Sequence, residues 1–299
     1  MGASESSLPL VSVVLCTYND EKYIAQTIES VLDQTFKDFE FIIWNDGSID
    51  GTENVVRSFK DSRIKYYFHE NTGLGMALSS ACQEAKGKYI ARIDGDDICM
   101  PYRFEREVKF LESHPEYVLV SSSVIYIDEN GQMLGRSFPW TWSRNLRRNI
   151  NIVHPGTMFR NEIYKKTGGY LNVKGCEDRT LWPKFLRYGD FYNIKEPLIR
   201  YRLLSTSLSH SYDPNSPYSE MMEIIRSKMA SDEIVLEEDV ELQNKIYELA
   251  KTKKMTSIPF SYFKSLEEKL FSVFSILFGE GIAESLVFFF KNIYAFFRY

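Results

Sequence analysis

The chain has 299 residues, 44% hydrophobic and 26% charged, which is enough apolar material for one large α/β domain or a domain with an appendage. Its formal charge of −5 argues against a nucleic acid held through its phosphates. Four scattered cysteines (Cys16, Cys82, Cys99, Cys176) form no CxxC pair, which argues against a disulfide framework or a zinc site and suits a reducing, cytoplasmic setting.

Met1–Ser7 holds no basic region followed by an apolar core, so no secretory signal is expected, although Gly2 with Ser6 fits a loose myristoylation pattern. Leu10 to Cys16 is a valine-rich run of strand length, and Thr17-Tyr18-Asn19-Asp20 reads as a turn and helix start. Ile24, Ile28, Val31 and Leu32 then recur at helical spacing. Phe39 to Trp44 is a second strand closed by Asn45-Asp46-Gly47-Ser48, Thr52 to Phe59 a helix, Ile64 to Phe68 a third strand and Gly73 to Ala85 a helix. A fourth strand ends at Asp94. Strand and helix alternate four times in under 100 residues, the pattern of βαβ units and a mostly parallel sheet with helices on both faces.

That fourth strand, Tyr89-Ile90-Ala91-Arg92-Ile93, ends in Asp94-Gly95-Asp96-Asp97. Delivering clustered carboxylates to a strand end is costly unless something neutralises them. Aspartate oxygens suit Mg²⁺ or Mn²⁺, and Mg²⁺ often completes its shell with substrate phosphates. An isolated Asp-x-Asp is usually a solvated turn. Here Thr17, Asp46 and Asp94 all fall at expected strand ends, where parallel sheets bind ligands. Arg92 can balance the acidic run.

Residues 103–113 read as a helix, Tyr117 to Ile127 as a strand, and Asp128-Glu129-Asn130-Gly131 as a hairpin turn. Gly168-Gly169 breaks the chain before a loop at Asn172–Gly175, Asp178 to Tyr188 is helical, and Leu198 to Leu203 is a short strand. Trp140 and Trp142 sit on an expected loop, with core packing as the default and sugar stacking as the alternative. Arg200 and Arg202 straddle Tyr201, and one of them could reach a diphosphate. Beyond the Ser211–Pro217 linker come charged amphipathic helices over 218–254 and an aromatic tail from Pro259. Its longest charge-free run, Leu270 to Gly279, falls short of the roughly 20 apolar residues a spanning helix needs. Interfacial helices are expected instead, with Lys251, Lys253, Lys254, Lys264 and Lys269 near anionic headgroups, placing the protein peripherally at the inner face of the cell membrane.

The motifs taken together resemble family-2 glycosyltransferases. Val11–Asn19, Trp44–Thr52, Ala85–Asp97, His154–Arg160, Gly168-Gly169-Tyr170 and Glu177–Trp182 follow in the family's order, over about residues 8–210. The resemblance implies a GT-A fold over 1–210, with a nucleotide-binding half at 8–115 and an acceptor half at 116–210. The segments 211–258 and 259–299 would form a C-terminal helical extension. It also implies transfer of a single sugar from a nucleotide-sugar, usually UDP-linked, to a glycan or lipid-linked acceptor in surface polysaccharide biosynthesis, with inversion at the anomeric carbon. Thr17 and Tyr18 match positions lining the nucleoside pocket, and Asp46 matches the residue on the base or ribose. Asp94 and Asp96 match the Asp-x-Asp motif, with Asp96 the direct ligand of Mg²⁺ or Mn²⁺ and Asp94 a second candidate ligand, and Asp94 and Asp97 are on the donor side. Asp178 matches the catalytic base, with Glu177 the alternative. His154 and Trp182 are acceptor-side candidates, and His154 could equally hydrogen-bond a loop.

The residue types suit that chemistry: a carboxylate takes the proton of a poorly nucleophilic hydroxyl, and a cation offsets charge on the leaving diphosphate. Leu204, Leu78-Ser79 and Asn45 depart from common family residues, and the Gln-x-x-Arg-Trp signature of processive synthases is absent. The competing readings are a nucleotidyltransferase making the activated sugar, disfavoured by the lack of a glycine-rich N-terminal loop, and a non-catalytic protein of the same fold.

Overall fold

The computed structural model describes residues 8–136, 152–173 and 176–204. The expectations for Trp140, Trp142, the linker, the charged helices and the aromatic tail lie outside the described residues. No helix among those residues is long and apolar enough to cross a membrane.

The first four strands are parallel: β1 (Val11–Thr17), β2 (Phe39–Asp46), β3 (Ile64–His69) and β4 (Tyr89–Asp94). They are linked by α1 (Ile24–Leu32), α2 (Thr52–Ser58) and α3 (Leu74–Gln83). Then come β5 (Ile98–Cys99), α4 (Arg103–Ser113), β6 (Tyr117–Ile127) and β7 (Met133–Arg136), the last two forming the expected hairpin. A single 3₁₀ turn, His154–Gly156, leads into β8 (Met158–Arg160) and α5 (Asn161–Lys166). The described part closes with α6 (Glu177–Phe185) and β9 (Asp190–Arg202). One mixed sheet runs β3-β2-β1-β4-β8-β6-β9-β5, with β7 on β6. β8 is antiparallel to both β4 and β6, so a three-residue strand joins the parallel half to the rest.

Two apolar layers cover the sheet. Val14, Cys16, Ile42 and Ile90 face α3 and α6 through Ala77, Leu78, Ala81, Leu181 and Phe185. Val13, Leu15, Phe41 and Ile93 face α1, α2 and α4 through Ile24, Ile28, Val56, Phe104 and Val108. Strands buried on both faces read as continuous apolar runs, which is why β1 and β2 are so legible in the sequence. All four cysteines are buried and free of disulfides, with Cys16, Cys82 and Cys99 inside these layers.

β9 is longer than the expected Leu198–Leu203 strand and begins at Asp190. Its register against β6 shifts between Ser122↔Ile194 and Ser123↔Pro197, leaving Lys195 and Glu196 as an exposed bulge. Proline has no N–H to give a ladder, and a bulge is where a strand accommodates it.

Candidate active site

β1, β2 and β4 are neighbours in register, Thr17 opposite Asn45 and Cys16 opposite Asp94, so their last residues share one edge. The loops leaving that edge are stitched together. Asn19, at φ 60°, donates its backbone N–H to Ser48 Oγ (2.9 Å), and its own Oδ1 accepts from Ile49 N–H (2.9 Å). Asp20 N–H donates to Thr52 Oγ1 at 2.9 Å. Gly47 takes a φ of +77°, and a Cβ there would lie 2.7 Å from the Asn71 nitrogen, so only glycine lets these loops meet. Tyr18, 48% exposed, is left on the rim.

Asp46 is buried, and its carboxylate is already engaged. Oδ1 accepts from Thr72 N–H (2.9 Å) and Thr72 Oγ1 (3.0 Å), and Oδ2 from Gly73 N–H (2.9 Å). These donors belong to the two residues that precede α3, which has no side-chain cap, so Asp46 anchors the chain where it enters that helix. Thr17 is likewise turned inward, donating its hydroxyl to Asp20 Oδ2 at 2.7 Å.

Asp20, read from the sequence only as part of a turn, joins the acidic edge. A Cβ on Gly95 would fall 2.3 Å from its Oδ2. Burial pushes the Asp20 carboxyl up to about 6, against the Thr17 hydrogen bond and with the Asp94 charge adding to the rise. Asp96 is pushed up to about 7, by burial first and then by Asp94 and Asp20. The signal for Asp20 was its position three residues past a strand end that already held a candidate. Three mutually repelling carboxyls of hard oxygen suit a divalent cation. Among the described residues no three His, Cys, Asp or Glu side chains form a ready-made cage. A site of one or two carboxylates completed by phosphate oxygens does not need one, so the donor set fits the expected Mg²⁺ or Mn²⁺.

The expectation for Asp97 is corrected. Its side chain is buried, Oδ1 accepts from Arg202 N–H (2.8 Å), and the carboxyl is held well above its ordinary range by burial and the Asp96 and Asp94 charges. It ties β9 to the acidic turn and does not line the open edge. Arg202 does not reach outward either. Its Nε donates to Asp96 O (2.8 Å), one terminal nitrogen to Asp128 O and Glu129 O, the other to Gln26 Oε1, and the guanidinium lies over the Tyr23 ring. It is a clamp on the backbone of the acidic turn.

Trp182 is corrected as well. It is fully buried, edge-on to Phe185, Phe191 and His154, so it is a core residue and not an acceptor platform. Trp182→Ala is expected to destabilise the fold by about 3–5 kcal/mol, read from chemical denaturation. An unchanged midpoint would show that the ring is not packed this way.

Glu177 and Asp178 open the first turn of α6, where helix polarity favours negative charge. His154 sits against them: Nε2 lies 2.8 Å from the Tyr170 hydroxyl and Nδ1 3.5 Å from Glu177 Oε1. Of the two readings of His154, the described contacts are those of a hydrogen-bonding residue beside the acidic pair. Burial alone would raise Glu177, but the hydrogen bond and charge of His154 outweigh it and hold the carboxyl below its ordinary range. Asp178 goes the other way, raised by burial and by the Glu177 charge against the pull of His154 and Arg179. Its side chain keeps some exposure and lies 3.7 Å from Arg179 Nε. The two adjacent carboxylates are thus pushed in opposite directions.

Residues 12–167 match the family model described as Glycosyl transferase family 2. The uncharacterized glycosyltransferase MJ1057 of Methanocaldococcus jannaschii is 36% identical over 210 residues, covering 67% of this chain and 72% of that protein. The O-antigen biosynthesis glycosyltransferase WbnJ of Escherichia coli is 29% identical over 216 residues, covering 68% and 86%. Among solved structures, S. aureus TarS 1-349 in complex with UDP-GlcNAc superposes with a TM-score of 0.64 at 18% identity, covering 89% of this chain and 80% of that one. That likeness establishes the shared fold.

Proposed function

The chain belongs to glycosyl transferase family 2, and from that premise we propose that it moves one sugar from a UDP-sugar to a hydroxyl of a glycan or lipid-linked glycan acceptor, with inversion. The observation that carries this reading is the Glu177–Asp178 pair, a carboxylate of raised proton affinity beside one held ionised, in the same molecule as an acidic strand edge. The polysaccharide pathway of WbnJ and the UDP-GlcNAc bound by TarS support the choice of acceptor and donor class.

Asp178 accepts the proton of the acceptor hydroxyl as that oxygen attacks the anomeric carbon and the bond to the diphosphate breaks. Glu177, steadied by His154, supplies the neighbouring charge that keeps Asp178 basic. Tyr18 and the stitched 17–20 and 47–50 loops present a pre-shaped wall to the nucleoside, and Asp46 fixes the start of α3 behind it. A divalent cation held by Asp96 with Asp94 would offset the charge that develops on the leaving diphosphate. Arg202 and Asp97 keep the acidic turn in place.

Incubation of the full chain with a panel of UDP-sugars and Mn²⁺ is expected to release UDP, faster when glycan acceptors are added. Pyrophosphate release in a parallel incubation with UTP and sugar 1-phosphates would point to a nucleotidyltransferase, and no release in either incubation to a non-catalytic protein.

A further inference from the structure

Arg92 is the least explained charge in the described molecule. It stands two residues before Asp94 on β4, so both side chains leave the same face of the strand, the face covered by α3 and α6. The guanidinium is 2% exposed and forms an ion pair with Asp94. One terminal nitrogen faces Asp94 Oδ1, while Nε and the other terminal nitrogen make no hydrogen bond among the described residues. Burying an arginine costs several kcal/mol of hydration, and one pair with a half-exposed carboxylate does not return it. A structural arginine in this protein looks different: Arg103 is equally buried, yet it bonds Glu107, Cys99 and the carbonyls of Arg92 and Thr157.

The other acidic pair adjoins the same strand. Arg92 N–H donates to Thr157 O at 2.9 Å, and Thr157 Oγ1 donates to His154 O at 2.8 Å, so the 3₁₀ turn bearing His154 lies alongside β4 at Arg92. His154 in turn contacts Glu177, whose Oε2 is buried and has no hydrogen-bond partner among the described residues. The Arg92 charge is felt at Glu177 and at Tyr170 as well as at Asp94. Unsatisfied donors and an unsatisfied acceptor of opposite charge therefore occupy one buried region between the two halves of the site. Local rules are broken in this way chiefly where function requires it.

We infer that Arg92 is a positioning residue shared by the two acidic parts of the site, holding Asp94 at the donor edge and Glu177 beside Asp178. The inference rests on the proposed transferase reading. It gives Arg92 a role in the transfer step that its neighbours on β4 do not have. Its loss should act through Glu177 and Asp94 and not through general stability.

The test uses the full chain, with UDP release measured at saturating and limiting donor, and thermal unfolding followed in parallel. Arg92→Met is expected to lower kcat about 100-fold, while Arg92→Lys, which keeps the charge, recovers at least about tenfold of that loss. Glu177→Gln should cost far less in the Arg92→Met background than in the wild type, because the two residues act as a unit. If Arg92→Met fails to fold, the same cycle is run on Arg92→Lys. Losses that multiply independently, or a lysine variant no better than methionine at an unchanged melting temperature, would overturn the role of Arg92 while leaving the transferase reading standing. A wild-type chain that turns over no UDP-sugar would overturn the transferase reading first, and the role of Arg92 with it.

Discussion

Replacing Asp178 by asparagine is expected to lower kcat by about 10³-fold, within the 10²–10⁴ range for loss of a positioned general base, while UDP affinity stays within about threefold. The shape is preserved, so the loss would report the proton acceptor alone. The pH profile gives a second reading. Asp178 must be ionised to accept a proton, and its carboxyl is raised by burial and by Glu177. Activity should therefore fall on the acid side at a pH above that of an ordinary aspartate. Glu177→Gln removes the charge that helps raise it, so the acid limb should move to lower pH in that variant, and Asp178→Asn should lose the limb altogether. Steady-state UDP release between about pH 4 and about pH 8 checks both. An Asp178→Asn enzyme with wild-type kcat would remove Asp178 from the reaction.

The second large effect is expected at Asp96. Asp96→Ala should cost about 10²–10³-fold in kcat/KM and abolish the response to added Mn²⁺, since charge on the leaving diphosphate is then uncompensated. Asp97→Asn is the control from the next position. It keeps an acceptor for the Arg202 N–H, and because Asp97 faces inward it should leave both readouts within about threefold. Equal losses at 96 and 97 would mean that the turn is disrupted as a whole and that Asp96 has no distinct part in it.

What could be seen in the sequence was what repeats. The strands and helices of the first hundred residues carry apolar periods of two and 3.6 or continuous buried runs, and the strand ends at Thr17, Asp46 and Asp94 follow from them. Short elements were invisible for the same reason: β5 has two residues and β8 three, too few to show a period, and both exist because neighbouring strands present a ladder to them. α5 is six residues and equally below that threshold. The start of β9 was hidden by Lys195, Glu196 and Pro197, which the bulge carries outward. Within the site, the residue types were legible but the directions of side chains were not. Asp97 and Trp182 carry the expected chemistry and point into the protein, and Arg202 spends its donors on backbone carbonyls. Asp20 needed the opposite inference, since the approach of Gly95 and the charge of Asp94 place it on the acidic edge.

The four buried cysteines have a practical meaning of their own. Burial raises the proton affinity of every one of these thiols, that of Cys82 to about 12, so almost no thiolate exists at neutral pH for an electrophile to find. They are distributed over β1, α3, β5 and the residue before α6, which makes them four separate witnesses to the opening of the sheet. An alkylating probe with mass detection would thus record, site by site, which part of the native protein breathes first, with no engineered label required.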